Sequence, residues 1–224
     1  MNRARVLFIA AVLVFSTQHG SAQDLSRYRA YVLGSSLESV VAASGTRAPD
    51  VKTLHARPAK IQELEWRAPY ANSGGVLTDP VRGAVFSFCD DALYQVVVNY
   101  DRDRTTGLTD GDVIESLKAL YGEPVLKSVR NRPPSTHPDA LMLAQWDGPA
   151  SSLTLLRDAY SMEFQLVLVS KALNTRARTA IREAGRLDAI EAPRRELEER
   201  RRQAADAAGA RDKIRETNRA AFHP

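Results

Sequence analysis

The stretches "LYQVVVNY" (Leu93–Tyr100) and "EFQLVLVS" (Glu163–Ser170) align without a gap, and their reading decides the fold. Aromatic, Gln, aliphatic, Val, aliphatic recurs at Tyr94–Val98 and at Phe164–Leu168. In the second, Met162, Phe164, Leu166 and Leu168 fall on one side and Glu163, Gln165, Val167 and Val169 on the other, which is the period of a strand. Each stretch closes a similar series. "VRGAVFSF" (81–88) precedes the first, and the "CDD" between them predicts a hairpin turn at Asp90 and Asp91. "SSLTLLRD" (151–158) precedes the second, with a turn at "AY". Further back lie two Trp-bearing segments. In "IQELEWRAP" (61–69), Leu64 and Trp66 face one way and Glu63, Glu65 and Arg67 the other; Trp146 sits in "ALMLAQWDGPA" (140–150).

A helix opens each series. In "LGSSLESVVAASG" (33–45), Ser35 or Ser36 can cap, Leu37, Val40 and Val41 share a face, and Gly45 ends the run. In "LTDGDVIESLKALYGEP" (108–124), Val113, Ile114, Leu117, Leu120 and Tyr121 form one apolar face, and Gly122 with Pro124 stops it. Helix, Trp-bearing strand and hairpin therefore occur twice. The expected fold is α+β, with two related helix-plus-antiparallel-sheet units (23–106 and 107–170) built on two small sheets and followed by a charged C-terminal helix.

Residues 1–22 read as a targeting segment. Arg3 and Arg5 precede the apolar run Val6–Phe15, and Gly20-Ser21-Ala22 offers a cleavage site before Gln23. That run is shorter than the roughly 20 residues a membrane-spanning helix needs. The expected location is periplasmic or secreted. The single Cys, Cys89, excludes an internal disulfide and reads as a buried small apolar residue, with intermolecular pairing or a reactive thiol as the rival reading.

Charge is unevenly distributed. Residues 23–170 carry 15 basic and 18 acidic side chains, and residues 171–224 carry 14 and 9. The body has no basic patch, which with export argues against a nucleic-acid partner. From Lys171 onward, Leu173, Ala177, Ala180, Ala184 and Leu187 make a thin helical stripe, and Pro193 interrupts it. Beyond it the Arg-rich sequence forms a solvated or fraying, partly disordered helix, with self-pairing at Glu196–Arg200 and Glu198–Arg202. Arg forks suit phosphate, so residues 171–224 could also meet a membrane surface.

"DRDRTTGLTDGD" (101–112) invites a calcium reading. Counted from Asp101, however, position 6 of an EF-hand loop is Thr106 rather than Gly, position 12 is Asp112 rather than Glu, and Arg102 and Arg104 lie inside. A helix start fits better: Thr109 caps, Asp112 completes a short capping box, and Asp110 and Asp112 suit the dipole, leaving "DRDR" as a strand end. No catalytic motif occurs, and His55, His137 and His223 have no neighbour at ligand spacing. Ser87, His55 and Asp90 could form a triad only by meeting in space. Trp66, Tyr70 and Trp146 read as core before interface. No catalytic residue, metal ligand or cofactor is assigned, and the binding residues stay unknown.

The paired helix-plus-three-strand units, with "GSSLESV" (34–40) in the form G-S-S-L-x-x-V and "YGEP" (121–124) in the form Y-G-x-P, resemble the β-lactamase-inhibitor-protein-like fold shared with small outer-membrane assembly lipoproteins. The likeness spans residues 30–170, although the chain lacks the lipidated Cys of the lipoproteins. "YDRDRTTGLT" (100–109) is similar to a group of uncharacterised exported bacterial proteins. The resemblance implies a fold and no activity. The functional expectation is a non-catalytic binding or scaffold protein of the bacterial envelope with a protein partner. The alternatives are a small periplasmic hydrolase with a site assembled in three dimensions, and an envelope-surface protein held by its tail.

Overall fold

The computed structural model describes residues 24–46, 50–68, 79–129 and 140–221. The targeting segment, Tyr70, His137 and His223 lie outside them. After a small hairpin, β1 (Arg27–Tyr28) and β2 (Tyr31–Val32), the chain runs through α1 (Leu37–Ser44) into β3 (Val51–His55), β4 (Ile61–Arg67), β5 (Val81–Cys89) and β6 (Ala92–Tyr100). It then passes α2 (Arg102–Thr105) and α3 (Asp110–Tyr121) into β7 (Leu126–Val129), β8 (Ala140–Asp147), β9 (Ser151–Asp158) and β10 (Phe164–Ser170). The helix α4 (Lys171–Ala221) ends it. The fold is α+β, as the alternation patterns indicate.

One expectation is corrected. The two units do not build two sheets; they share one antiparallel sheet in the order β3-β4-β5-β6-β10-β9-β8-β7. The two strands whose sequences align are the ones that pair across the middle, so each saturates the open ladder of the other. Val97 sits opposite Val167, and Gln165 opposite Asn99. Val97 and Val167 are also aligned positions of the two stretches, so a pseudo-two-fold axis passes through this pair. The outer strands keep the relation: Trp66 lies opposite Ala84, which lies opposite Val98, while Trp146 lies opposite Leu153, which lies opposite Leu168. Each repeat also has four strands rather than three, because β3 and β7 pair at the two edges.

Local chemistry sets the element ends. Ser36 caps α1 by accepting from the Ser39 N–H, and Gly45 closes it in the left-handed region at φ 66°. Thr109 and Asp112 form the capping box of α3. Asp90 (φ 47°) and Asp91 (φ 68°) turn the β5–β6 hairpin, as a two-residue loop of the primed type requires. In β5 a Cβ on Gly83 would stand 2.7 Å from the Trp66 carbonyl oxygen, which explains a glycine inside a strand. Two details depart from expectation. "DRDR" is not a strand end but the cap and start of the one-turn helix α2, with the Asp101 carboxylate accepting from the N–H groups of Asp103 and Arg104. Met162 has φ 60° and belongs to the turn before β10 rather than to the strand.

The two faces of the sheet are packed differently. On one, Leu64, Phe86, Val96, Val98, Ala144, Trp146, Leu155, Leu166 and Leu168 meet Val40 of α1 and Leu117 and Tyr121 of α3 in a single core. Trp146 is fully buried and donates from Nε1 to the Gly122 carbonyl at 2.6 Å; Trp66 is half-buried against the same core. On the other face a smaller cluster of Ile61, Cys89 and Tyr94 holds Ala177 and Ala180 of α4. Small side chains there let the helix backbone approach closely. The Lys171 ammonium anchors the helix start through the Gly148 carbonyl at 2.7 Å and Asp147 at 2.8 Å. Pro193 lies inside α4 without ending it.

Candidate functional site

Most candidate residues from the sequence serve architecture. Asp101 caps α2, Asp112 caps α3, and Asp110 pairs with Arg157 at 2.5 Å. The Thr109 hydrogen bonds hold the Asp112 carboxyl below its usual range. No group of His, Cys, Asp and Glu able to hold a metal ion occurs among the described residues. The proposed meeting of Ser87, His55 and Asp90 does not form. The Ser87 hydroxyl reaches toward Glu63 at 3.5 Å, while Asp90 accepts from the Lys60 N–H at 2.8 Å and pairs with Arg176. His55 lies on the edge strand β3, with β4 between it and the strand carrying Ser87.

The feature that sequence reading missed is a cleft of about 590 Å³ on the helix side of the sheet. It falls within the roughly 300–1,000 Å³ of small-ligand sites. The β1–β2 hairpin forms one wall with Arg27, Tyr28 and Arg29, and α3 forms the other with Val113, Leu117, Leu120 and Tyr121. Tyr100 and Phe164, from the ends of the two central strands, contribute to the lining, and Leu108 stands before α3. Leu120, expected on the core face of α3, is 74% exposed, and Leu108 is 46% exposed. The α3 stripe is wider than the sheet can cover, so its far edge lines the cleft. The residues that create the site are 24–29, 80, 100–121 and 164, too scattered for any local pattern to bring together.

A polar staple sets the hairpin wall. Arg29 donates from both terminal guanidinium nitrogens to Asp79, at 2.6 and 2.8 Å. Asp79 also accepts from the Val81 N–H at 3.0 Å, and the Arg104 guanidinium donates to its carbonyl oxygen. Hairpin, sheet and α2 are thereby tied at one point. The Arg29 hydrogen bond is the main reason the Asp79 carboxyl lies below its ordinary range. A depressed folded-state value stabilises above the unfolded carboxylate range and is lost as pH falls through the folded value. Asp79→Asn is therefore expected to flatten the pH dependence of stability below about pH 4, by no more than about 1 kcal/mol because the pair is half-exposed. Urea midpoints measured between pH 3 and pH 7 would check this; an unchanged slope would refute the staple.

Inside the cleft, burial pushes the phenols of Tyr28, Tyr100 and Tyr121 above the usual tyrosine range. They stay protonated at neutral pH and add neutral hydrogen-bonding groups to a lining that also carries Asp24, Arg27 and Arg29. The Tyr28 and Tyr100 phenols both line the cleft, and each influences the ionisation of the other. No helix among the described residues is long and apolar enough to cross a membrane. Comparison with known protein families, with curated proteins and with solved structures returned no match to this chain.

Proposed function

We propose that this chain is an exported, non-catalytic binding protein of the bacterial envelope, and that it binds in the cleft between the β1–β2 hairpin and α3. The observation that carries this reading is the placing of Leu120 and Leu108, large aliphatic side chains left exposed beside a concave apolar lining. Exposed apolar surface rimming a cleft marks recognition more often than chance exposure does. A hydrolase needs an acid or base poised near working pH. The ionisable residues lining this cleft are phenols raised by burial, two guanidiniums and the Asp24 carboxylate, which its Ser26 hydrogen bonds hold low. Such groups bind and orient. The targeting pattern of residues 1–22 supports export, and the tandem arrangement supports kinship with β-lactamase-inhibitor-protein-like chains.

The test is a photo-crosslinking residue placed at Leu120 of the full chain in a bacterial host, with Ile214 on the exposed end of α4 as the control position. A discrete adduct at position 120 that is absent at 214 is expected in the intact mass of the exported protein. No adduct at 120 beyond the control level would overturn the reading.

A further inference from the structure

We propose that the natural occupant of the cleft is a single-chain anionic amphiphile, its acyl tail against α3 and its carboxylate or phosphate at Arg27. This rests on the binding reading above and adds the chemical class of the ligand. The two walls differ in kind. The α3 wall is aliphatic, with Val113, Leu117 and Leu120 on successive turns of one face, so it offers a continuous strip for a methylene chain. Phe164 and the rings of Tyr100 and Tyr121 add further apolar surface.

The hairpin wall is polar, and its two arginines are unlike. Arg29 is committed: each terminal nitrogen donates one hydrogen bond to Asp79, whose carboxylate offsets its charge, and its Cζ lies 5.2 Å from the Tyr28 ring centroid. Arg27 is available. Among the described residues its one ion-pair partner is Asp24, through Nε at 3.3 Å, in a pair whose side chains are 61% and 56% exposed. Exposed pairs of this geometry contribute little, so a ligand anion can compete for the guanidinium. Its Nη1 and Nη2 groups form a fork suited to a carboxylate or phosphate. Arg29 is already neutralised by Asp79, so the cation the cleft offers to an anionic head group is Arg27, whose exposed Asp24 partner the head group would displace. The Tyr28 and Tyr100 hydroxyls supply further hydrogen-bonding capacity on the same lining. An uncharged apolar ligand would leave the arginine fork without a role, and a bulky folded partner would reach the Leu108–Leu120 rim without filling the depth.

The experiment titrates the purified full-length chain with dodecanoate, dodecyl phosphate and uncharged dodecanol, below their aggregation concentrations, by calorimetry. One saturable site is expected for both anions, each bound at least about tenfold more tightly than dodecanol. The ratio of dodecanoate to dodecyl phosphate affinity separates the two head-group sources. Leu120→Asp is expected to weaken all three by at least about tenfold, since it removes apolar contact from the tail. Arg27→Glu is expected to weaken both anions by at least about tenfold and leave dodecanol within about twofold. Leu120 and Arg27 are both exposed, so each variant keeps its fold, and circular dichroism verifies this. The proposal is overturned if no anion binds saturably, if dodecanol binds as tightly as dodecanoate, or if Leu120→Asp has no effect. An adduct at position 120 together with failure of both anions would refute the amphiphile and leave the cleft as a binding site for a protein side chain. Absence of an adduct would refute the cleft itself.

Discussion

Trp146→Ala is expected to lower the stability of the chain by about 3–5 kcal/mol, the range for emptying a buried aromatic site. Trp146 has no exposed surface, its ring lies 6.5 Å from that of Tyr121, and its Nε1 donates to the carbonyl of Gly122, the residue that ends α3. The substitution therefore removes a large volume from the core and unties α3 from β8 in one step. A domain holds about 5–15 kcal/mol in total, so the variant would stand near its unfolding threshold at physiological temperature. Its pseudo-symmetric counterpart is the natural control. Trp66 occupies the matching register position but is half-buried, so Trp66→Ala is expected to cost less than half as much. Urea unfolding followed by circular dichroism measures both. Equal losses would mean that the two repeats carry the sheet equally, contrary to the unequal burial of their tryptophans.

Ala177→Asp is expected to release α4 from the sheet. Ala177 is fully buried against the cluster that contains Ile61, Cys89 and Tyr94, and a carboxylate there would be desolvated without a partner. Leaving a buried charge uncompensated costs about 3–5 kcal/mol, more than a contact made of alanines returns. The rest of the sheet has its own core on the opposite face, so the expected outcome is local undocking rather than global unfolding. Cys89 reports it. The thiol is fully buried and burial pushes its pKa up, so the folded protein should resist thiol reagents. In Ala177→Asp it should react at least about 100-fold faster under native conditions, with the far-ultraviolet spectrum largely retained. Equal labelling rates in both proteins would show that α4 does not shield Cys89.

These two sites illustrate what the sequence disclosed. Ser36, Gly45, Thr109 and Gly122 mark helix ends through short-range capping rules, and the alanines at 177, 180 and 184 announce a buried helical stripe through spacing alone. The strands carrying Trp66 and Trp146 and both hairpins were legible for the same reason. Long-range pairing was not. Alternation shows which side of β6 and β10 is buried, but not that the two strands hydrogen-bond to each other and fuse two expected sheets into one. The edge strand β3, "VKTLH", is exposed through its middle and is a strand only because β4 supplies its partners. β7 sits at the other edge, paired to β8 on one side alone. The cleft was hidden because Leu120 obeys the helical spacing of a core residue while standing outside the area that the sheet covers. Nothing local to α3 reveals where the sheet ends.

The long terminal helix affects how the molecule moves through its surroundings. From Pro193 to Ala221 every residue is exposed, and at 1.5 Å per residue this stretch is about 43 Å long. Glu196 pairs with Arg200, and Glu198 with Arg194 rather than Arg202, so part of the rod's charge is paired along its own length. A rod of that reach raises rotational friction out of proportion to its mass. The chain should tumble like a much heavier particle, and in a crowded compartment it would sweep out a volume that a sphere of 24.7 kDa never would.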